Sequence, residues 1–163
     1  MERGEVLAVL DTLQAADMRV WVAGGWGVDA LVGRQTRDHR DLDLLVDAER
    51  LEECLSLLVA RGYAVETDWL PVRVEVTAGR GLVDVHPVRL AADGSGVQAG
   101  LDGTQFDYPA DCFTTGSLAT RQVPCLTASH LVAPPTPRLH TGPVTTAVAA
   151  SGSPNGDRVR AAV

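Results

Sequence analysis

Two aspartates placed two residues apart are the first feature of the sequence that could carry out chemistry. Asp41 and Asp43 begin the segment DLDLLV (residues 41–46), in which polar and apolar side chains alternate. Successive side chains of a strand point to opposite faces, so both carboxylates are predicted on one face. Adjacent carboxylates repel each other unless a cation bridges them, and oxygen ligands favour Mg²⁺. The alternative interpretation is a pair of solvated surface aspartates.

A third carboxylate lies in a second strand-like segment. Asp84 belongs to the sequence Val-Asp-Val-His-Pro (residues 83–87) and could face the same site. Three carboxylates indicate a two-metal site for an in-line displacement, in which one carboxylate also takes the proton of the attacking group. We therefore predict that Asp41, Asp43 and Asp84 bind metal and that Asp84 is the general base. His86 is interpreted as a packing or hydrogen-bonding residue.

Two glycines upstream of the aspartates suit the binding of phosphate. Gly24 and Gly25 follow an apolar segment, and the absence of side chains would let backbone amides approach a triphosphate. Arg37 could donate to a phosphate oxygen through its forked guanidinium. All 14 basic residues are arginine, which excludes a phosphate-loop lysine and a Schiff-base lysine. For the glycines, a plain turn at the end of a strand is the alternative.

Length and composition indicate a globular protein with one main domain. The chain has 163 residues, of which 45% are hydrophobic and 21% charged. Its net charge of −7 makes nucleic acid an unfavourable partner. No apolar run approaches the roughly 20 residues that cross a membrane, and the N-terminus does not resemble a signal peptide. Three widely spaced cysteines suggest free thiols. We predict a cytoplasmic protein without a membrane partner.

The pattern of apolar residues predicts the elements that position these groups. Helices are predicted at residues 5–17 and 27–33, and after Asp47, where leucines 51, 55 and 58 form an apolar stripe. Strands are predicted at residues 19–23, 41–46, 72–77 and 82–88, the last two joined by a glycine-containing hairpin. Residues 91–103 have no clear pattern, and beyond them Phe106, Tyr108, Phe113 and residues 121–126 suggest a few short extended pieces. Residues 134–163, rich in Pro, Thr and Ala, are predicted to be a flexible tail beyond a domain of residues 1–133.

Several separated motifs together resemble a known family. The segment GGWGVDALVGRQTRDHRDLDL joins a glycine-rich turn, a short helix and a D-x-D strand in the order typical of the nucleotidyltransferase superfamily. It is most similar to the small antibiotic-modifying branch, which includes aminoglycoside 2″-nucleotidyltransferases and lincosamide nucleotidyltransferases. The segments VDVHP, FDYP and VPCL resemble downstream segments of that branch. The resemblance covers about residues 5–133 and ends where the tail begins.

This resemblance implies a fold, a reaction and a set of site residues. The implied fold is α+β and polymerase-beta-like, with a mixed twisted sheet and helices on one face. Asp41, Asp43 and Asp84 would hold two Mg²⁺ ions, and Gly24, Gly25, Arg37 and His39 would lie near the phosphates of the nucleotide. The implied reaction transfers a nucleoside monophosphate from an NTP, with ATP as the expected donor, to a hydroxyl of a small antibiotic and releases pyrophosphate. His39 has an alternative role as the anchor of a loop.

Two other functions remain open at this point. A toxin- or antitoxin-type nucleotidyltransferase would use the same carboxylates on a protein or tRNA. A non-catalytic remnant of the family would bind metal without any transfer, because its C-terminal segment differs from that of its relatives. The acceptor that takes a labelled nucleotide distinguishes the three functions.

Overall fold

The structure is a computed structural model that describes residues 1–132 and 138–139. The helices of this part are α1 (Arg3–Ala15), α2 (Gly24–Val32), α3 (Leu51–Ala60) and α4 (Ala128–Val132). The strands are β1 (Val20–Val22), β2 (Asp41–Asp47), β3 (Ala64–Trp69), β4 (Arg73–Ala78), β5 (Gly81–Leu90), β6 (Gly96–Ala99), β7 (Thr104–Tyr108), β8 (Phe113–Leu118), β9 (Arg121–Leu126) and β10 (Arg138–Leu139). None of the helices in the described residues is long and apolar enough to cross a membrane. Apart from β10, the predicted tail lies outside the described residues.

One mixed sheet contains the ten described strands. Its order is β10-β7-β6-β5-β2-β1-β9-β8, and β4, which carries β3, pairs with β5 off this path. The pairs β2–β5 and β1–β9 are parallel, whereas β5 is antiparallel to both β4 and β6. Strand β5 has 10 residues, so β4 pairs with its first half and β6 with its last three residues. Side chains from β2, β4 and β6 therefore meet around the middle of β5.

Three helices pack on one face of this sheet. Leu13 of α1, Trp26 of α2 and Leu58 of α3 belong to one buried apolar cluster with Leu44 of β2 and Val85 of β5. Burial of each such side chain stabilises the fold by roughly 1.5–3 kcal/mol. The opposite face carries a second apolar cluster, against which Leu131 of α4 packs. The predicted α+β class with a mixed sheet is confirmed, and the three longer helices lie on one face as predicted, whereas α4 packs on the other.

The predicted elements agree with the structure where the local pattern is strong. Helices α1 and α3, strands β1 and β2, and the β4–β5 hairpin lie where they were predicted. Asp47 accepts a hydrogen bond from the Glu49 amide at 3.2 Å and caps the turn that leads into α3. Helix α2 differs, because it begins at Gly24 itself instead of Gly27. Gly24 and Gly25 therefore form the first turn of helix α2, hereafter the glycine turn. The prediction of a separate turn between the strand and the helix is wrong.

Strands β3 and β6 have no counterpart in the prediction. Strand β3 is exposed along most of its length and lacks an alternating apolar face. Strand β6 lies in residues 91–103, where glycine and aspartate obscure the pattern. Both form because an adjacent strand offers hydrogen bonds to their backbones, β4 to β3 and β5 to β6. Pairing within the sheet, rather than local propensity, determines these segments.

All three cysteines are free and buried, as the sequence predicted for free thiols. Burial raises the pKa of the Cys54 thiol to about 12 and that of the Cys112 thiol to about 11. Burial also raises the pKa of Cys125. Thiols with such pKa values stay protonated near neutral pH and are poor nucleophiles. The chemistry of the protein must therefore come from other groups.

Candidate active site

The parallel pairing of β2 and β5 brings two of the predicted carboxylates together. Asp43 lies directly opposite Asp84 in the register of these strands. Since Leu42 and Leu44 point into the core beneath the helices, Asp43 points to the other face. The Asp43 side chain is 29% exposed and that of Asp84 is 8% exposed. Two carboxylates therefore lie side by side, one at the surface and one nearly buried.

His86 joins the two carboxylates. Its Nε2 atom lies 3.5 Å from Asp84 Oδ2 and 3.8 Å from Asp43 Oδ1. Ligand atoms from Asp43, Asp84 and His86 all lie within 4.8 Å of one another, as in a group that could hold a metal ion. The sequence alone indicated only a packing or hydrogen-bonding role for His86. Its position two residues after Asp84, on the same face of the strand, is the signal that could have identified it.

Asp41 lies at the edge of this arrangement. It belongs to the same face of β2 as Asp43 but pairs with Leu82 instead of an acidic residue. Its carboxylate accepts a hydrogen bond at 3.1 Å from Arg40, whose side chain is 85% exposed. Asp41 does not belong to the group formed by Asp43, Asp84 and His86. An ion pair as exposed as this one contributes little free energy. The Asp41 carboxylate is therefore available to a cation that binds it more strongly than Arg40 does.

Asp84 has the most perturbed environment of the three aspartates. Burial raises its pKa above the ordinary value and Asp43 adds to this effect, whereas His86 and Arg73 oppose it. Its Oδ2 atom accepts a hydrogen bond at 2.6 Å from Arg73. Its Oδ1 atom is buried and has no hydrogen-bond partner among the described residues. Such an oxygen is costly to bury alone, and a hard cation at this position would satisfy it.

Arg73 links Asp84 to the edge of the sheet. Its Nη1 atom lies 3.0 Å from Glu75 Oε1, and its guanidinium lies 4.7 Å from the centre of the Trp69 ring. Glu75 is opposite Asp84 in the antiparallel β4–β5 register. The Trp69 side chain is exposed at the end of β3. The predicted β4–β5 hairpin is the signal that could have placed Arg73 and Glu75 beside Asp84.

The two glycines at the start of α2 lie against the carboxylates and the basic segment. A Cβ atom on Gly24, whose φ is +55°, would overlap the Asp43 carboxylate. A Cβ atom on Gly25 would overlap the His39 ring and come 3.1 Å from Arg37 Nη2. A side chain at either position would therefore force Asp43 or His39 to move, and the positive φ of Gly24 would add backbone strain. Gly24, Gly25, Arg37 and His39 meet at the N-terminus of a nine-residue helix, where amides and the helix dipole favour anions.

His39 is held by an aspartate that the sequence analysis did not single out. His39 Nε2 lies 2.5 Å from Asp29 Oδ2, and both side chains are buried. Asp29 Oδ1 accepts hydrogen bonds from the Thr36 amide at 3.0 Å and the Thr36 hydroxyl at 2.5 Å. Burial alone would raise the pKa of Asp29, but the hydrogen bonds from Thr36 and His39 lower it overall. His39 thus anchors the loop, and its Nδ1 side still adjoins Gly25.

Replacing Asp29 with asparagine should destabilise the fold. The substitution leaves buried His39 without its anionic partner, which we expect to lower the free energy of unfolding by roughly 2–4 kcal/mol. Denaturant unfolding measures this change. Asp38→Asn is the matched control, because Asp38 is exposed in the same loop. A loss as small as that of the control would mean that the Asp29–His39 pair contributes nothing to stability.

Two cavities adjoin His86. The first has a volume of about 300 Å³ and lies against Gly24, Asp43 and His86. The second has a volume of about 400 Å³ and lies against Arg73, Trp69 and His86. Both are also lined by Gln98 and Phe106. The carboxylates thus lie between one cavity beside the glycine turn and another beside Arg73, an arrangement that can hold two substrates on either side of a reacting group.

Solved nucleotidyltransferases share this fold, and the chain is an enzyme of that type. Residues 5–148 match the aminoglycoside-2″-adenylyltransferase family. The match covers most of the 163 residues, and the chain belongs to this family. The resemblance inferred from the separated motifs is confirmed.

Two relatives in the antibiotic-modifying branch are similar to this chain, one over most of its length and the other over half of it. A lincosamide resistance protein from Staphylococcus haemolyticus is 36% identical over 123 residues, which cover 75% of this chain and 76% of that protein. A 2″-aminoglycoside nucleotidyltransferase from Klebsiella pneumoniae is 36% identical over 90 residues, or 53% of this chain and 50% of that protein. The crystal structure of the lincosamide antibiotic adenylyltransferase LnuA with lincomycin bound superposes with a TM-score of 0.75 at 33% identity, covering 81% of this chain and 84% of that one.

Proposed function

We propose that this enzyme transfers a nucleoside monophosphate from a Mg²⁺-bound NTP to a hydroxyl of a small antibiotic and releases pyrophosphate. The observation that carries this proposal is the pairing of Asp43 with Asp84 across β2 and β5, beside the glycine N-terminus of α2. Carboxylates next to an anion-binding helix terminus suit the joint binding of a cation and a polyphosphate. The expected donor is ATP.

The donor set of the site fits Mg²⁺. Asp41, Asp43 and Asp84 offer carboxylate oxygens, and the unpartnered Oδ1 atom of Asp84 supports a bound cation at this place. When bound, two Mg²⁺ ions would neutralise phosphate charge and stabilise the attacking and leaving oxygens. Zinc is less suitable, because the buried thiols lie outside this group of oxygen donors.

Asp84 would act as the general base. The acceptor hydroxyl gives its proton to the Asp84 carboxylate while its oxygen forms a bond to the α-phosphorus. The bond from that phosphorus to the pyrophosphate oxygen breaks, and pyrophosphate leaves. Burial raises the pKa of Asp84, which makes its carboxylate a stronger base than a solvated aspartate.

The glycine turn would bind the phosphates of the nucleotide. Gly24 and Gly25 leave the first amides of α2 open to a phosphate group. The Arg37 guanidinium, exposed beside Gly25, would add a forked cationic donor. His39 would support this turn from within, because Asp29 holds its ring against Gly25. These four residues form the nucleotide side of the site in this proposal.

The cavity beside Arg73 would hold the acceptor, and its chemistry favours a lincosamide over an aminoglycoside. Its walls are mostly apolar, including Trp69 and Phe106, and the Glu75 carboxylate beside it is paired with Arg73. A polycationic aminoglycoside would need unpaired carboxylates there and would be repelled by Arg73. A less charged, partly apolar, sugar-bearing drug fits these walls better. The known relative crystallised with lincomycin agrees with this assignment.

Two further properties belong to this proposal. The catalytic domain in this proposal covers residues 1–133, and strand β10 adds residues 138 and 139 of the predicted tail to its sheet. A cytoplasmic location is supported by the donor, because NTPs are supplied there.

Label transfer tests the proposal against its alternatives. ATP and GTP labelled at the α-phosphate are incubated with the full chain, Mg²⁺, and separate lincosamides, aminoglycosides, bulk tRNA and bulk protein. We expect label on a lincosamide. Label on tRNA or protein would instead establish the toxin-type function, and nucleotide binding without any labelled acceptor would identify a non-catalytic remnant.

A further inference from the structure

A chain of buried hydrogen bonds lies behind His86 on the side away from the carboxylates. The Tyr108 hydroxyl donates to Gln98 Oε1 at 2.8 Å, and Gln98 Nε2 lies 3.1 Å from His86 Nδ1. These residues belong to the adjacent strands β7, β6 and β5. Gln98 and Tyr108 are each 7% exposed, so their polar atoms depend mainly on these hydrogen bonds, although both side chains line the cavity beside Gly24. Each hydrogen bond in this network must therefore have a definite direction.

Tyr108, at the end of the network farthest from His86, determines which group donates in each hydrogen bond. Burial raises the pKa of Tyr108 to about 12, so its hydroxyl keeps its proton and needs an acceptor. Within the part of the chain that the structure describes, Gln98 Oε1 is the acceptor assigned to it. The amide then turns its NH₂ group, which only donates, towards His86 Nδ1. The opposite amide orientation would leave the buried Tyr108 proton without this acceptor.

This direction determines the tautomer of His86. Because Nδ1 accepts from Gln98, the proton of the neutral ring must lie on Nε2. Nε2 is the atom that faces Asp84 and Asp43, and the ring lines both cavities. A protonated ring nitrogen has no lone pair to give to a metal ion. His86 is therefore a hydrogen-bond donor in the cluster rather than a metal ligand.

We propose that Tyr108 and Gln98 are positioning residues that hold His86 as an Nε2–H donor, and that His86 binds an oxygen of the acceptor next to the hydroxyl that reacts. A sugar-bearing acceptor offers such oxygens beside its reactive hydroxyl. His86 lies two residues from Asp84 on the same strand face, where that hydroxyl would give up its proton. The role in acceptor binding rests on the proposed function, whereas the tautomer does not.

Nitrogen NMR of the histidine rings tests the tautomer without any catalysis. In the full chain labelled with ¹⁵N-histidine, the signals of His86 are identified by their loss in His86→Gln. We expect the Nε2–H tautomer, and we expect it to persist when Mg²⁺ is added. Gln98→Glu should move the proton to Nδ1, because a carboxylate only accepts. Tyr108→Phe, which keeps the amide but frees it to turn, should give a mixture of tautomers.

A matched control and two opposing results make this test decisive. Gln122→Glu makes the same chemical change at an exposed position of β9 and should leave the His86 signals unchanged. An Nδ1–H tautomer in the unsubstituted protein would overturn the proposal. Loss of the Nε2 proton on addition of Mg²⁺ would also overturn it, by making His86 a metal ligand.

Steady-state kinetics tests the role in acceptor binding. Gln98→Glu should lower kcat/KM for the acceptor roughly tenfold, about the effect of one lost hydrogen bond, while KM for the nucleotide changes less than about twofold. His86→Gln keeps an N–H donor and should retain more activity than His86→Leu. Equal losses in these two variants, or a change confined to the nucleotide KM, would overturn the acceptor role. If the unsubstituted enzyme transfers nothing, the proposed function fails, and the NMR result still decides the tautomer.

Discussion

Asp43→Asn is expected to reduce nucleotide transfer by about a thousandfold or more while the protein stays folded. Asp43 is the carboxylate that lies closest to the glycine turn, since a Cβ atom on Gly24 would overlap it. An amide of the same size cannot supply the negative charge that a bridging cation needs between two strands. The side chain is partly exposed and adds to the raised pKa of Asp84, so its neutralisation removes a repulsion.

Initial rates and a thermal melt of the same preparation measure this effect. The melting temperature should stay within about 3 °C of the unsubstituted protein, because surface substitutions of this kind rarely change stability by more than about 0.5 kcal/mol. Asp111→Asn, an exposed aspartate outside the site, is the matched control and should keep full activity. Turnover in Asp43→Asn close to that of the control would remove Asp43 from the metal site.

Asp84→Asn should lower kcat by about 10²–10⁴-fold, the usual contribution of a general base, with a much smaller change in nucleotide affinity. Asp84 is nearly buried, and its pKa is raised by burial, so its carboxylate is suited to take a proton. The glycine turn that would bind the phosphates is not altered by the substitution. Turnover with the acceptor and the Kd of the nucleotide, measured separately, distinguish a lost base from lost binding.

Glu75→Gln serves as the control for Asp84→Asn. Glu75 shares Arg73 with Asp84 and lies opposite it in the β4–β5 register. If disruption of the Arg73 ion pairs caused the loss of activity, Glu75→Gln would produce a comparable loss. We expect Glu75→Gln to change kcat only a few-fold, roughly the effect of one partly exposed ion pair. A normal rate in Asp84→Asn would remove Asp84 as the base.

The sequence predicted those parts of the fold that depend on local periodicity. The leucine and valine spacings of α1 and α3, and the alternation of β2, result from burial of one face and are visible in a single chain. Strands β3 and β6 could not be predicted in this way, because β3 lacks an alternating apolar face and β6 lies where glycine and aspartate obscure the pattern. Both form by pairing with the adjacent strand. The start of α2 at Gly24 was missed, since glycine normally indicates a turn.

Strand periodicity also predicted part of the candidate site. The period of two along β2 and β5 placed Asp43 and Asp84 on one face, and the strand register then brought them side by side. The predicted β4–β5 hairpin also brings Arg73 near Asp84, although the sequence contains no separate signal for it. Gln98 of β6 was not predictable, because no strand was predicted there and sheet order is a tertiary property. Asp29 was overlooked, although an acidic residue within an apolar helix is itself a signal of a buried partner.

The most direct test of the account is the stoichiometry of products in a single reaction of the full chain with a lincosamide, ATP and Mg²⁺. Pyrophosphate is measured by a coupled assay, and the drug is measured by mass spectrometry, with Asp43→Asn run in parallel. We expect one pyrophosphate for each drug molecule that gains a nucleoside monophosphate, and neither product from Asp43→Asn. Pyrophosphate without a modified drug, or equal product from Asp43→Asn, would contradict it.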